Sequence, residues 1–125
     1  MATLTAQTKL TVSDIVADSI ALDVTMSPTV IAGGITSKTL TSARATGTAL
    51  TIVAATHYAA GTTIYLRNKS ASETISVELT SGTTHLTLGP LTWAVFPWTA
   101  ATDIEVFGTN SSENPTLEVG IFSAA

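Results

Sequence analysis

The chain has 125 residues, which fits one domain, with a net charge of −4 and only 11% charged residues, against roughly 25% in an ordinary soluble domain. Its basic residues, Lys9, Lys38, Arg44, Arg67 and Lys69, are scattered, so no basic stripe exists to neutralise phosphates, and neither nucleic acid nor an anionic membrane surface is an expected partner. No cysteine is present, which excludes disulfides, thiolate metal sites and cysteine nucleophiles.

Residues 1–18 are polar and Thr-rich and read as an N-terminal arm, with Ser13 able to cap a short helical turn. The opening MATLTAQTKL lacks a basic segment followed by an apolar run, so no signal peptide is read there. Residues 19–125 read as one β-sandwich domain. Ile20, Leu22, Val24 and Met26 alternate with Ala21, Asp23 and Thr25, the pattern of a half-buried strand that Ser27-Pro28 stops. Gly33-Gly34 reads as a turn, residues 35–40 as a strand and 41–48 as a loop. Leu50 and Ile52 mark the next strand. After Gly61, Ile64, Leu66 and Asn68 face one way and Thr63, Tyr65 and Arg67 the other. Asn68 to Ser72 is a turn. Ile75, Val77 and Leu79 then alternate with Ser76 and Glu78. Beyond the Ser81-Gly82 turn come Leu86 and Leu88, then the Gly89-Pro90 break. Trp93, Val95 and Pro97 share one face of the next strand and Ala94, Phe96 and Trp98 the other. Both faces are apolar, which predicts a strand buried on both sides. Ile104 with Val106, and Leu117 with Val119 and Ile121, mark the last strands. Short strands with a turn signal about every ten residues predict an all-β sandwich, with a jelly roll as a candidate topology. The most apolar stretch, residues 86–98, is too short and too broken by Pro90 and Pro97 to span a bilayer.

The chemistry-bearing residues are sparse. His57 and His85 belong to no metal-ligand spacing, and no phosphate-cradling or nucleophile-elbow motif occurs. Glu73, Glu78, Glu105 and Glu118 sit beside a turn or alternate with apolar residues, so solvated positions are expected. Glu105 and Glu118 are able to face each other across neighbouring strands, as a carboxylate pair in glycoside hydrolysis would, but no aromatic cleft is evident around them. Asp14, Asp18 and Asp23 match no calcium loop. No cofactor, metal or catalytic residue is expected. The matches to the glycosylation pattern at Asn68 and Asn110 reflect the abundance of Ser and Thr.

The aromatic residues are the stronger signal. Trp93, Phe96 and Trp98 cluster; Tyr58 and Tyr65 lie apart. Phe96 and Trp93 are expected in the core, and Trp98, following Pro97 at a strand end, as an exposed anchor. Trp98, Trp93, Tyr58 and Tyr65 are the interface candidates. Depletion of charge marks interface cores, so much of the surface is expected to be covered by partners.

The run Leu88-Gly89-Pro90-Leu91-Thr92-Trp93-Ala94-Val95-Phe96-Pro97-Trp98, followed by Asp103-Ile104-Glu105-Val106 and Leu117-Glu118-Val119-Gly120-Ile121-Phe122, resembles small β-structured virion proteins of tailed bacteriophages. The resemblance covers residues 62–122. It implies a non-enzymatic structural protein of the virion: a capsid decoration, or cement, protein, working as a homotrimer or other symmetric oligomer on the major capsid protein or another virion protein. The alternative it leaves open is a tail or fibre component contacting host glycans through Trp98 and Tyr58.

Overall fold

The computed structural model describes residues 2–12, 20–27, 29–40, 49–80, 83–109 and 113–124. The Ser13 turn, Asp14 and Asp18, Pro28, the loop at 41–48, the Ser81-Gly82 turn and the Asn110 motif lie outside them. The described chain is β1 (Ala2–Thr3), β2 (Ala6–Val12), β3 (Ile20–Met26), β4 (Thr29–Thr39), β5 (Leu50–Val53), a single 3-10 turn at Ala55–His57, β6 (Thr62–Asn68), β7 (Ile75–Thr80), β8 (Thr83–Leu88), β9 (Trp93–Trp98), β10 (Ile104–Gly108) and β11 (Thr116–Ala124). Among the described residues no helix is long and apolar enough to cross a membrane.

Two antiparallel sheets make an all-β sandwich, ordered β1-β4-β11-β6-β9 and β5-β10-β7-β8. Strand pairing from β4 onward is nested. β7 pairs β8, β6 pairs β9, β5 pairs β10 and β4 pairs β11. Each successive pair wraps the one inside it and falls in the alternate sheet, which is the topology of a jelly roll. The core between the sheets is aliphatic: Ile64 and Leu66 of β6, Leu117 and Val119 of β11, Ile75 and Val77 of β7, and Ile104 and Val106 of β10 are all essentially inaccessible. These are the positions that period-2 alternation assigns to one face.

Three expectations need correction or placing. Gly33-Gly34 is not a turn; β4 runs straight through it, paired with Phe122 and Ile121 of β11. The glycines serve space here. A Cβ on Gly33 would stand 2.5 Å from the Phe122 ring, and one on Gly120 would meet the same ring at 3.0 Å. Phe122 thus lies across two glycines on the outer face of the sheet. β9 is not buried on both sides. It is an edge strand, the place where a sheet tolerates Pro97, which has no N–H to donate. Residues expected as an arm contribute β1, which pairs with the start of β4, and β2, which pairs with β3 in a separate two-stranded ribbon.

One buried polar side chain ties the sheets together at the end where β6 stops. The Asn68 Nδ2 group donates to the carbonyls of Glu73 at 2.6 Å, Leu88 at 3.1 Å and Gly89 at 3.0 Å. Its Oδ1 accepts from the Ser70 N–H at 2.9 Å. Asn68 therefore links β6 of one sheet to the entry of β7 and the exit of β8 in the other. With its amide engaged and its surface wholly buried, it is a structural residue and no glycan acceptor.

Candidate functional site

The outer face of the five-stranded sheet is where exposed apolar surface collects. Alternation turns Tyr65 and Arg67 of β6, Trp93 and Val95 of β9, Glu118 and Phe122 of β11, and Ile35 of β4 away from the core. Register brings them side by side: Tyr65 lies opposite Val95 and Arg67 opposite Trp93, while Arg67 also faces Glu118 and Tyr65 faces Gly120. Trp93 is 49% exposed, Ile35 58% and Ile31 64%. Leu91, in the turn before β9 and held at φ 59°, is exposed beside them. A groove of about 460 Å³ lies on this face, lined by Tyr65, Arg67, Leu91, Trp93 and Val95, with Ala6 and Gln7 of β2 closing one side.

Tyr65 of the groove is held by polar groups beside it. The Tyr65 hydroxyl donates to Glu118 Oε1 at 2.8 Å, and Lys69 Nζ stands 4.0 Å from Glu118 Oε2. Burial, and then the Glu118 carboxylate that accepts the phenol's hydrogen, push the Tyr65 phenol above its ordinary value of 10.0. Tyr65 is therefore a neutral donor locked onto Glu118 throughout the physiological range.

The interface candidates separate into two pairs. Trp98, expected as the exposed anchor, is a core residue at 4% exposure. Trp93, expected inside, is the exposed one. Pro97 does not end β9; it points outward on the edge strand, so the next residue turns in. Tyr58 packs against the core and meets the Trp98 ring edge-on at 6.4 Å, so these two rings stabilise each other; the part of Tyr58 left open lines a second groove with His57, Thr36 and Ile121. Tyr65 is half-buried beside Trp93 on the outer face. Phe96 packs against the core as expected.

The carboxylates are also redistributed. Glu105 and Glu118 do not face each other; they stand in different sheets. Glu105 lies opposite Glu78 and Glu118 opposite Ser37 and Arg67. Glu73 and Glu78, expected in solvent, are buried. Glu73 lies in the turn that Ser70 and Asn68 fold inward; Glu78 is flanked on both sides because β7 is an inner strand of its sheet. His57 and His85 are both exposed. Among the described residues no group of three His, Cys, Asp or Glu side chains converges to hold a metal ion.

Arg67, Val95, Leu91, Ile31, Ile35 and Gln7 were not singled out by sequence reasoning. The alternation already set Tyr65 with Arg67, and Trp93 with Val95. The missing information was that these two strands are neighbours. The chain matches no protein-family model and no curated protein sequence.

Proposed function

We propose that this chain is a structural protein without catalytic activity that docks other protein surfaces through the outer face of its five-stranded sheet, as a capsid decoration protein of a tailed-bacteriophage virion. The observation that carries the docking reading is Trp93, half exposed in a groove beside Leu91, Val95 and Tyr65. Large aromatic side chains of this kind are the residues around which interfaces concentrate their binding energy. Two further features support it. The surface is poor in charge, as interface cores are. The jelly-roll topology is one that viral capsid domains use, a fold-level analogy only; the virion setting rests on the resemblance of residues 62–122. In this reading the chain sits outside the shell, symmetric copies bridge neighbouring coat subunits, and many modest contacts act together.

The test is Trp93→Ala in the full chain, added to particles lacking the protein. Retention should weaken by about 30-fold, the equivalent of about 2 kcal/mol for an interface anchor, while circular dichroism stays unchanged because the side chain lies outside the core. Unchanged retention would reject the docking reading.

One observation favours a second reading, a tail or fibre component contacting host glycans. Its platform moves from Trp98 and Tyr58 to Trp93, where an aromatic ring stands beside Arg67, Gln7 and the Tyr65–Glu118 pair. Lectin domains also use the jelly roll. If Trp93→Ala abolished sugar binding and cell adsorption yet left particle attachment intact, this reading would replace the first.

A further inference from the structure

We infer that two copies of this chain pair along the open edge of β4, antiparallel about a two-fold axis at Ile35, so that two five-stranded sheets join into one. This goes beyond the docking reading and lies at the far edge of the sheet from Trp93, so either can fail alone.

The starting observation is an edge without protection. β1 covers β4 only at Thr29 and Val30. Along residues 31–39, β4 pairs β11 on one side, and among the described residues no strand pairs it on the other. Residues 31–37 and 39 are exposed. Two of them are Gly33 and Gly34, whose exposed surface is main chain, and a Cβ built on Gly34 would meet nothing within 4 Å. A bare edge offers a row of N–H and C=O groups to any strand, and proteins blunt such edges by shortness, charge, proline or bulges. The other edges of the two packed sheets are blunted in these ways. β9 carries Pro97, β5 has 4 residues, and β8 has two irregularities in its ladder. β4 has 11 residues, no proline, and Lys38 as the single charge between 31 and 39; its one irregularity, at Ile31, lies at the start of the open stretch, and residues 32–39 pair β11 in unbroken register.

The occupant that fits is the same edge of a second copy. An isologous contact must be self-complementary, and residues 31–39 are. Antiparallel pairing centred on Ile35 sets Ile35 against its own copy, Gly33 against Ser37, Ile31 against Thr39, and Lys38 against Ala32. No like charges meet. The exposed side chain of Ile35 meets its own copy across the seam, and the outer faces of the two sheets become continuous between the copies.

The centre of symmetry gives the test. In the full chain, Ile35→Lys and Ile35→Glu each set two like charges directly opposite one another, which destabilises a strand pair. The side chain is exposed, so the fold tolerates both. Sedimentation velocity should show wild-type dimers. Each variant alone should dissociate at roughly tenfold lower affinity or worse, and an equimolar mixture of the two should recover a dimer, because Lys now faces Glu. That recovery is peculiar to a residue lying on its own symmetry axis. A wild-type monomer at all concentrations, a ring or trimer, variants that stay dimeric, or a mixture that does not recover would each overturn the pairing. Loss of the dimer together with intact particle retention would leave the Trp93 docking reading standing.

Discussion

Trp98→Ala should lower the stability of the domain by about 3–5 kcal/mol, the cost of emptying a large aromatic site in a packed core. Domains of this size have total stabilities of about 5–15 kcal/mol, so a fall in Tm of about 10 °C or more is expected. Two consequences of the packing are lost together. The indole closes the core at the end of β9, at 4% exposure, and it gives the Tyr58 ring its edge-on partner at 6.4 Å. The segment carrying Tyr58 follows the 3-10 turn at Ala55–His57, whose Ala55 N–H is held by Asp103 Oδ1 at 2.8 Å, so loosening should spread towards β5 and the β9–β10 connection. Trp98→Phe keeps a ring for Tyr58 and should cost less. Thermal unfolding followed by circular dichroism checks both. A loss below about 1 kcal/mol for the alanine variant would be incompatible with a core position.

The second large effect is expected at Asn68. Asn68→Ala removes the donor from the carbonyls of Glu73 and Leu88, in a region where Asn68 itself is fully buried; the Gly89 carbonyl keeps the Thr92 N–H at 3.2 Å and the Thr92 hydroxyl at 2.8 Å. Unsatisfied buried groups cost about 1–3 kcal/mol each. The NH₂ has two hydrogens and two buried carbonyls lose it, so the sum is about 3 kcal/mol. Asn68→Asp is nearly isosteric and should be worse, because it replaces the donor with a second acceptor and sets a carboxylate against three carbonyl oxygens. The order wild type, then Ala, then Asp in chemical denaturation is the signature. Asp matching wild type would show that donation by Nδ2 is not what holds this corner.

Most of the strands were legible because alternation is a local property: Ile64, Leu66, Val77, Val106 and Val119 each appear inside as their neighbours imply. Misplaced residues share one cause, the need to know which strands are neighbours. Reading Pro97 as a strand end exposed Trp98 and buried Trp93; reading it as the mark of an edge strand inverts both, and the structure shows the inversion. Gly33-Gly34 looks like a turn until Phe122, some ninety residues on, is known to lie across it. The carboxylates follow the same rule. Glu105 meets Glu78 rather than Glu118 because β10 pairs with β7, while β11 belongs to the other sheet. The groove was half visible: each of its two strand faces could be written down from the sequence, but their union at Arg67 and Trp93 is a product of the nested jelly-roll pairing.

The two tryptophans of this chain provide the most direct test of docking through the outer sheet face. Trp98 is buried in the free chain and Trp93 is half exposed, so acrylamide quenching of the free chain should resolve one protected and one accessible indole. On assembled particles, the accessible fraction should disappear, with Trp98→Phe confirming that the signal belongs to Trp93. An indole that stays as accessible on the particle as in free solution would contradict the claim that this face is where the protein docks.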